Sequence, residues 1–447
     1  MIVRRILIVF AAFLIFGLLL FGCTKSASPM AQGWSPSAKI AESEDGLGGW
    51  VSLHKFKETI IGFEPVRTKS MRCFFLNQDG KSWSEVPFPD MPRQDIWPFP
   101  LIEYGDNRIL FPGGYADNDN IFLNVYGISV DANGKIGLEP PMTWRTSKQI
   151  LFPGSSSNLH LSETSIYMGP GIRKGLDWHI PYSLDAMTYA GNTASHGPSN
   201  NGVFYSSDAG RTWQMEKLFN FDPGPASICR TKEYYYYVSL KSYGRELWFT
   251  RKRIDGESCN PPEIVSKTFA RAYGDYVCVS EDDTIHLCWL DGRHEKARLN
   301  LSAPYRHNYE VAYSNIRDSE TSWRKEAILS KGMLYSFRPK MSVEGQKVVV
   351  VWAGVETAPD WHTDSHPNDV YYVTSNDSGK TWSKRLRVTD NIEAGICAGE
   401  PQVVLLHGMI HLFYTQGKMN LKQESPGLTK LNQPPWPIYY RQMRFPE

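Results

Sequence analysis

Apolar residues fall along this chain in two patterns. One continuous run, Ile6 to Phe21, follows Arg4 and Arg5. After it come many short runs of aromatic and β-branched residues, punctuated by Gly, Asp, Asn, Ser and Pro. Arg72-Cys73-Phe74-Phe75-Leu76, Ile121 to Tyr126, Tyr234 to Leu240, Glu246 to Thr250, Ile285 to Trp289, Val348 to Trp352 and Met409 to Tyr414 all have strand length and strand composition. No long helical period follows the N-terminal run. The pattern predicts an all-β chain.

An octapeptide recurs in this pattern. Ser206-Ser207-Asp208-Ala209-Gly210-Arg211-Thr212-Trp213 and Ser375-Asn376-Asp377-Ser378-Gly379-Lys380-Thr381-Trp382 both read Ser-x-Asp-x-Gly-x-Thr-Trp. Each follows a strand-like run, so each reads as a hairpin turn. Asp can accept backbone N–H bonds from residues just ahead. Gly supplies a positive φ. Thr starts the next strand, and Trp offers a large apolar surface. Weaker copies occur at Asp79-Gly80-Lys81-Ser82-Trp83, at Asp131-Ala132-Asn133-Gly134 before Trp144, at Ile254-Asp255-Gly256-Glu257, and at Asp318 to Trp323. The period is roughly 60 residues, enough for one four-stranded blade with long loops.

The motif resembles the Asp-box, or BNR repeat, of the sialidase (neuraminidase) superfamily. The resemblance covers most of the chain after about residue 60. It implies a six-bladed β-propeller; seven blades is the alternative, depending on how residues near Gly49-Trp50-Val51 pair. In that family the Asp-box sits on the turn between the third and fourth strands of a blade, away from the active site. Asp208, Gly210, Trp213, Asp377, Gly379 and Trp382 are therefore expected to fix corners and to do no chemistry.

Strand order then assigns faces. Turns 3–4 share one side with turns 1–2, and the 2–3 loops lie opposite. The long 2–3 loops, Asp291 to Asn308, Ala353 to Asn368 and Thr415 to Pro437, are expected to form the functional face.

The N-terminus changes the cellular picture. Two arginines, an apolar run and Leu20-Phe21-Gly22-Cys23 make a signal peptide resembling a bacterial lipobox, with Cys23 as the lipidated residue. The expected organisation is a signal peptide over 1–23, a flexible tether over 24–45 and a propeller over 46–447. This places the protein in the bacterial cell envelope, lipid-anchored outside the cytoplasm, at the outer membrane if there are two. A net charge of +1 gives no electrostatic case for nucleic acid. No Cys/His cluster suggests a metal, and no cofactor is implied. The other cysteines could pair or stay as buried thiols.

Two functional readings follow. Hydrolytic sialidases combine three Arg that clamp the substrate carboxylate, a Tyr–Glu nucleophile pair and an Asp acid/base. On that pattern Arg271, Arg293 and Arg338 would form the clamp, with Trp361 and Trp436 stacking on sugar. Asp95 or Asp117 would be the acid/base, and Tyr439 or Tyr440 the nucleophile with Glu400 as its partner. The Phe/Tyr-Arg-Ile-Pro motif of the family's first Arg is absent; the nearest echo is Phe337-Arg338-Pro339. The first reading is an exo-glycosidase releasing terminal acidic sugars. The alternative is a non-catalytic propeller that binds glycan or protein at the envelope.

Overall fold

A computed structural model of the protein describes residues 28–43, 51–66, 70–88, 100–103, 108–116, 120–131, 136–147, 159–160, 166–190, 193–219, 227–241, 246–267, 276–292, 309–333, 335–356, 368–391, 396–418 and 436–447. Every regular element among them is a β-strand. The strands form seven sheets, each paired antiparallel throughout.

Blade 1 comprises Ser52–Phe56, Thr59–Val66, Ser70–Leu76 and Trp83–Val86. Blade 2 runs from Leu101–Ile102 through Arg108–Ala116 and Asn120–Val130 to Ile136–Leu138 and Met142–Ser147. In blade 3 the inner strand is in pieces, Leu159–His160, Ile166–Met168 and Ile172–Lys174. The long hairpin Asp177–Ala190 and Thr193–Ser206 follows, then Gln214–Lys217. Blade 4 is Ser227–Arg230, Tyr234–Lys241, Glu246–Arg253 and Glu263–Ser266. Blade 5 is Tyr276–Glu281, Thr284–Asp291, Glu310–Arg317 and Ala327–Ile328. Blade 6 is Tyr335–Glu344, Lys347–Val355, Asp369–Ser375 and Leu386–Arg387. Blade 7 takes Ile396–Leu406, Met409–Lys418 and Trp436–Arg444 from the C-terminal end, and Ala38–Ser43 from the N-terminal end as its outer strand.

Each inner strand lies against the inner strands of both neighbours, blade 7 against blade 1 included. The fold is a seven-bladed β-propeller. Seven rather than six blades form because Ser52–Phe56, just past the Gly49-Trp50-Val51 stretch, opens a blade of its own.

Seven apolar clusters fill the seven seams between blades. This explains the unbroken apolar runs. Successive side chains of a strand point to opposite faces, and both faces of every blade are covered. Val348, Val350 and Trp352 enter the seam with blade 5, while Val349 and Val351 enter the seam with blade 7. The tyrosine run divides in the same way: Tyr235 and Tyr237 face blade 3, and Tyr236 faces blade 5.

The turns singled out in the sequence fall between third and fourth strands, in blades 1 to 6, with residues 132–134 of the blade 2 copy outside the described residues. Asp208 accepts the Thr212 N–H at 2.8 Å and its hydroxyl at 2.6 Å, and the Ser206 hydroxyl donates to it at 2.8 Å. Asp377 repeats this with Thr381 and Ser375. Asp79 does so with Ser82 in place of Thr. These bonds hold all three carboxylates low, at about 2; for Asp377 they outweigh burial, which acts the other way. The Trp residues then reach across seams. Trp83 meets Phe413 and Tyr440 of blade 7 at 4.5 and 5.4 Å, Trp323 meets Phe249 of blade 4 at 5.3 Å, and Trp382 meets Tyr313 of blade 5 at 4.7 Å.

Residues 28–43 belong to the ring, although their composition reads as tether. Ala31 donates to the Arg387 carbonyl at 2.8 Å, alongside the outer strand of blade 6. Trp34 is buried against Tyr372, edge-on at 5.5 Å. Ser28 and Arg385 both bond the Glu356 carboxylate. What orders this stretch is the unpaired edge of blade 7 and the seam beside it, which composition does not reveal.

Histidines recur inside the seams. His286 Nδ1 meets the Tyr313 hydroxyl at 2.7 Å, and His411 Nδ1 meets that of Tyr440 at 2.8 Å. Burial lowers both to about 4. The folded state therefore favours neutral imidazole. That contribution is complete above the unfolded value near 6.5 and is lost as pH falls from there toward 4. Replacing His411 with Gln is expected to remove about 1–2 kcal/mol of the stability difference between pH 7 and pH 5. Urea unfolding at both pH values measures it; an unchanged difference would contradict it.

Candidate functional site

The strand order puts the ends of the 2–3 loops on the side opposite the turns that join third to fourth strands, as the sequence implies. The bodies of the three long loops lie outside the described residues. So do Asp95, Asp117, Arg271, Arg293, Trp361 and Cys23. Trp436 opens the third strand of blade 7, paired with Ser43.

Arg338 and Glu400 are brought together. They sit on the inner strands of blades 6 and 7, and Arg338 Nε lies 2.9 Å from Glu400 Oε1. Both positions are one-residue bulges. Register shifts between Phe337 and Lys340 and between Gly399 and Gln402. Both residues have left-handed backbone, φ 54° at Arg338 and 41° at Glu400. Both precede proline, which drives the preceding residue toward extended backbone. Strain of this kind costs on the order of 1–3 kcal/mol per residue and gathers at functional sites. The bulges pair near Ala353 and Thr415, in the half of each strand nearer the loop face. The side chains keep 35% and 17% exposure, so the pair is within reach of solvent.

A third inner strand, in blade 3, has the same insertion. Met168 pairs with Tyr182 and Ile172 with His179, which leaves one extra residue at Gly169-Pro170-Gly171. Inner-strand x-Pro steps were the signal that could have located this rim from sequence. Lys340 and Gln402, one residue past each proline, are half-buried there and were not singled out.

The tyrosines proposed as nucleophiles stand elsewhere. Tyr440 is buried in the seam with blade 1, its hydroxyl bound to His411 and Gln442. Burial pushes that phenol well above its ordinary value. Tyr439 stacks on Tyr414 at 5.8 Å, on the third strand of the blade. Neither is hydrogen-bonded to Glu400, whose ion-pair partner is Arg338. The reason is positional: third strands stand two strands out from the channel, while Glu400 is on the innermost.

Buried carboxylates on the loop side serve the frame. Asp369 accepts the Thr389 hydroxyl at 2.8 Å and the Asn391 N–H at 2.6 Å, holding the exit of blade 6. Glu310 holds the exit of blade 5 through the Gly332 N–H at 3.3 Å. Asp291 accepts the Trp289 indole N–H at 3.2 Å. Among the described residues no group of three His, Cys, Asp or Glu could hold a metal ion. No helix among them is long and apolar enough to cross a membrane.

No protein-family model and no curated protein matches the chain. Among solved structures, it is similar to Trypanosoma rangeli sialidase in complex with 2,3-difluorosialic acid, at 8% identity and a TM-score of 0.46 over 93% of this chain and 59% of that one. It is similar to the NanB sialidase of Streptococcus pneumoniae at 11% identity and a TM-score of 0.41, over 93% of this chain and 71% of that one. It is also similar to YCF48 bound to D1 peptide, at 12% identity and a TM-score of 0.45, over 95% and 99% of the two chains. The chain spans about three fifths of the Trypanosoma rangeli sialidases. These are likenesses of overall form, and the fold stands on the strand pairing described above.

Proposed function

We propose that this protein is a glycan-binding propeller of the bacterial cell envelope, held by a lipid on Cys23, with its ligand at the inner rim of the loop face. The observation that carries the reading is the Arg338–Glu400 pair on two strained bulges. A guanidinium and a carboxylate side by side offer donors and acceptors suited to a hydroxyl-rich ring, and Arg can grip a carboxylate in two-pronged fashion. Binding is favoured over hydrolysis because Glu400 is engaged by Arg338 and neither Tyr439 nor Tyr440 bonds it.

The test uses residues 24–447 on a glycan array, beside a fluorogenic sialoside and a panel of neutral glycosides. Retained glycan binding with no release of fluorophore is expected. Arg338→Ala should weaken binding about tenfold or more, and Arg338→Lys should not restore it. Turnover of any glycoside would replace this reading with the exo-glycosidase. No glycan bound, or equal affinity in Arg338→Ala, would overturn the assignment of the rim.

A further inference from the structure

Blades 4 and 5 meet along their inner strands, Ser227–Arg230 and Tyr276–Glu281. Each strand carries one cysteine into this seam. Cys229 is a buried member of its apolar cluster, and Cys278 packs against that cluster while remaining half-exposed. Both are thiols in this structure. Burial raises the Cys229 thiol well above its ordinary value, and the neighbouring Cys278 sulfur adds to this. The other described cysteines stand apart. Cys73 lies in the seam of blades 1 and 2, Cys288 in that of blades 5 and 6, and Cys259 lies 3.6 Å from a Glu216 carboxylate oxygen.

We propose that Cys229 and Cys278 form a redox-sensitive disulfide that staples blade 4 to blade 5 at the wall of the central channel. The oxidant is a disulfide, either small, such as oxidised glutathione, or on a thiol oxidoreductase. Cys278 is the entry point because it is the more exposed. Its thiolate attacks the oxidant, forming a mixed disulfide and releasing one thiol. Cys229 then loses its proton and attacks the Cys278 sulfur, expelling the second thiol. Two protein thiols are oxidised and one oxidant disulfide is reduced. The high proton affinity of Cys229 makes the second step the slow one. The bridge closes a loop around three strands of blade 4, a span long enough to restrict the unfolded chain substantially.

The experiment is peptide mass mapping of the full chain after oxidised glutathione or dithiothreitol, with free thiols alkylated before digestion. A cross-linked peptide pair holding Cys229 and Cys278 is expected under oxidant only, preceded by a glutathione adduct on Cys278. It should persist in Cys259→Ser. The oxidised protein should melt about 2–5 °C above oxidant-treated Cys278→Ser. A glutathione adduct that persists on Cys278 with Cys229 fully alkylated and no cross-linked pair would overturn the proposal, as would complete alkylation of both cysteines after oxidant exposure. So would a bridge from either one to Cys259.

Discussion

A chain lacking residues 28–43 is expected to lose its cooperative unfolding transition and to associate in solution. The deletion removes the outer strand of blade 7, leaving Trp436–Arg444 as an unprotected edge with free N–H and C=O groups. It also strips partners on both sides. The Ser35 N–H donates to the Gln442 carbonyl at 2.8 Å and its hydroxyl accepts the Gln442 N–H at 3.0 Å, Arg441 Nε donates to the Ser35 carbonyl at 2.8 Å, and Arg72 of blade 1 donates to the Glu42 carbonyl at 2.7 Å. Trp34, 8% exposed, leaves a hole beside Tyr372 and Val388. Loss of a buried Trp alone costs about 3–5 kcal/mol. Thermal melting and size-exclusion chromatography measure the outcome. A monomer melting within about 2 °C of the intact protein would contradict this account of ring closure.

Gly379→Val is expected to destabilise the protein by about 3–5 kcal/mol in urea unfolding. Two costs coincide there. The backbone is left-handed, φ 79°, which β-branched residues resist. A Cβ would also stand 2.2 Å from the Tyr313 hydroxyl oxygen and 2.4 Å from two ring carbons. Tyr313 cannot withdraw easily, since its hydroxyl is bound to His286 and accepts from Asn315 at 3.0 Å. Gly80→Ala is the control. It has a similar φ of 64° but nothing within 4 Å of its Cβ, so about 1 kcal/mol is expected. Equal losses at the two sites would show that crowding against the neighbouring blade contributes nothing.

The ring was legible because its signals are local. Asp208 and Asp377 bond residues within a few positions of themselves, so the corner they fix is encoded in a short window. Period-2 burial on both blade faces likewise leaves its mark as runs such as Val348 to Trp352. The rim was legible only in part. Arg338 was singled out through its neighbours Phe337 and Pro339, and Glu400 as the partner of a tyrosine. Their mutual pairing depends on a seam between residues 62 positions apart, which no window contains. Tyr440 misled for the same reason. Its partners, His411 on the adjacent strand and Trp83 of blade 1, fix it in a seam that a reading of loops and strand ends does not reveal. The tyrosine run at 234 to 237 is strand-like in the sequence, and alternation between two seams accounts for its aromatic density.

Closure by strands from the two chain ends has a topological consequence. At the outer corner of blade 7 the fourth strand comes from the N-terminal side of the chain, so no hairpin turn joins its third strand to its fourth. A sequence can display only as many turn motifs as there are uncut hairpins, so motif counting falls one short of the true order of the ring. The circle itself has no first blade. Strand Ala38–Ser43 begins on the side where Trp436–Arg444 ends, so a short corner could join them and the cut could be moved to another outer hairpin. The order of blades along the chain is in that sense a circular permutation chosen among equivalents, with the seams unchanged.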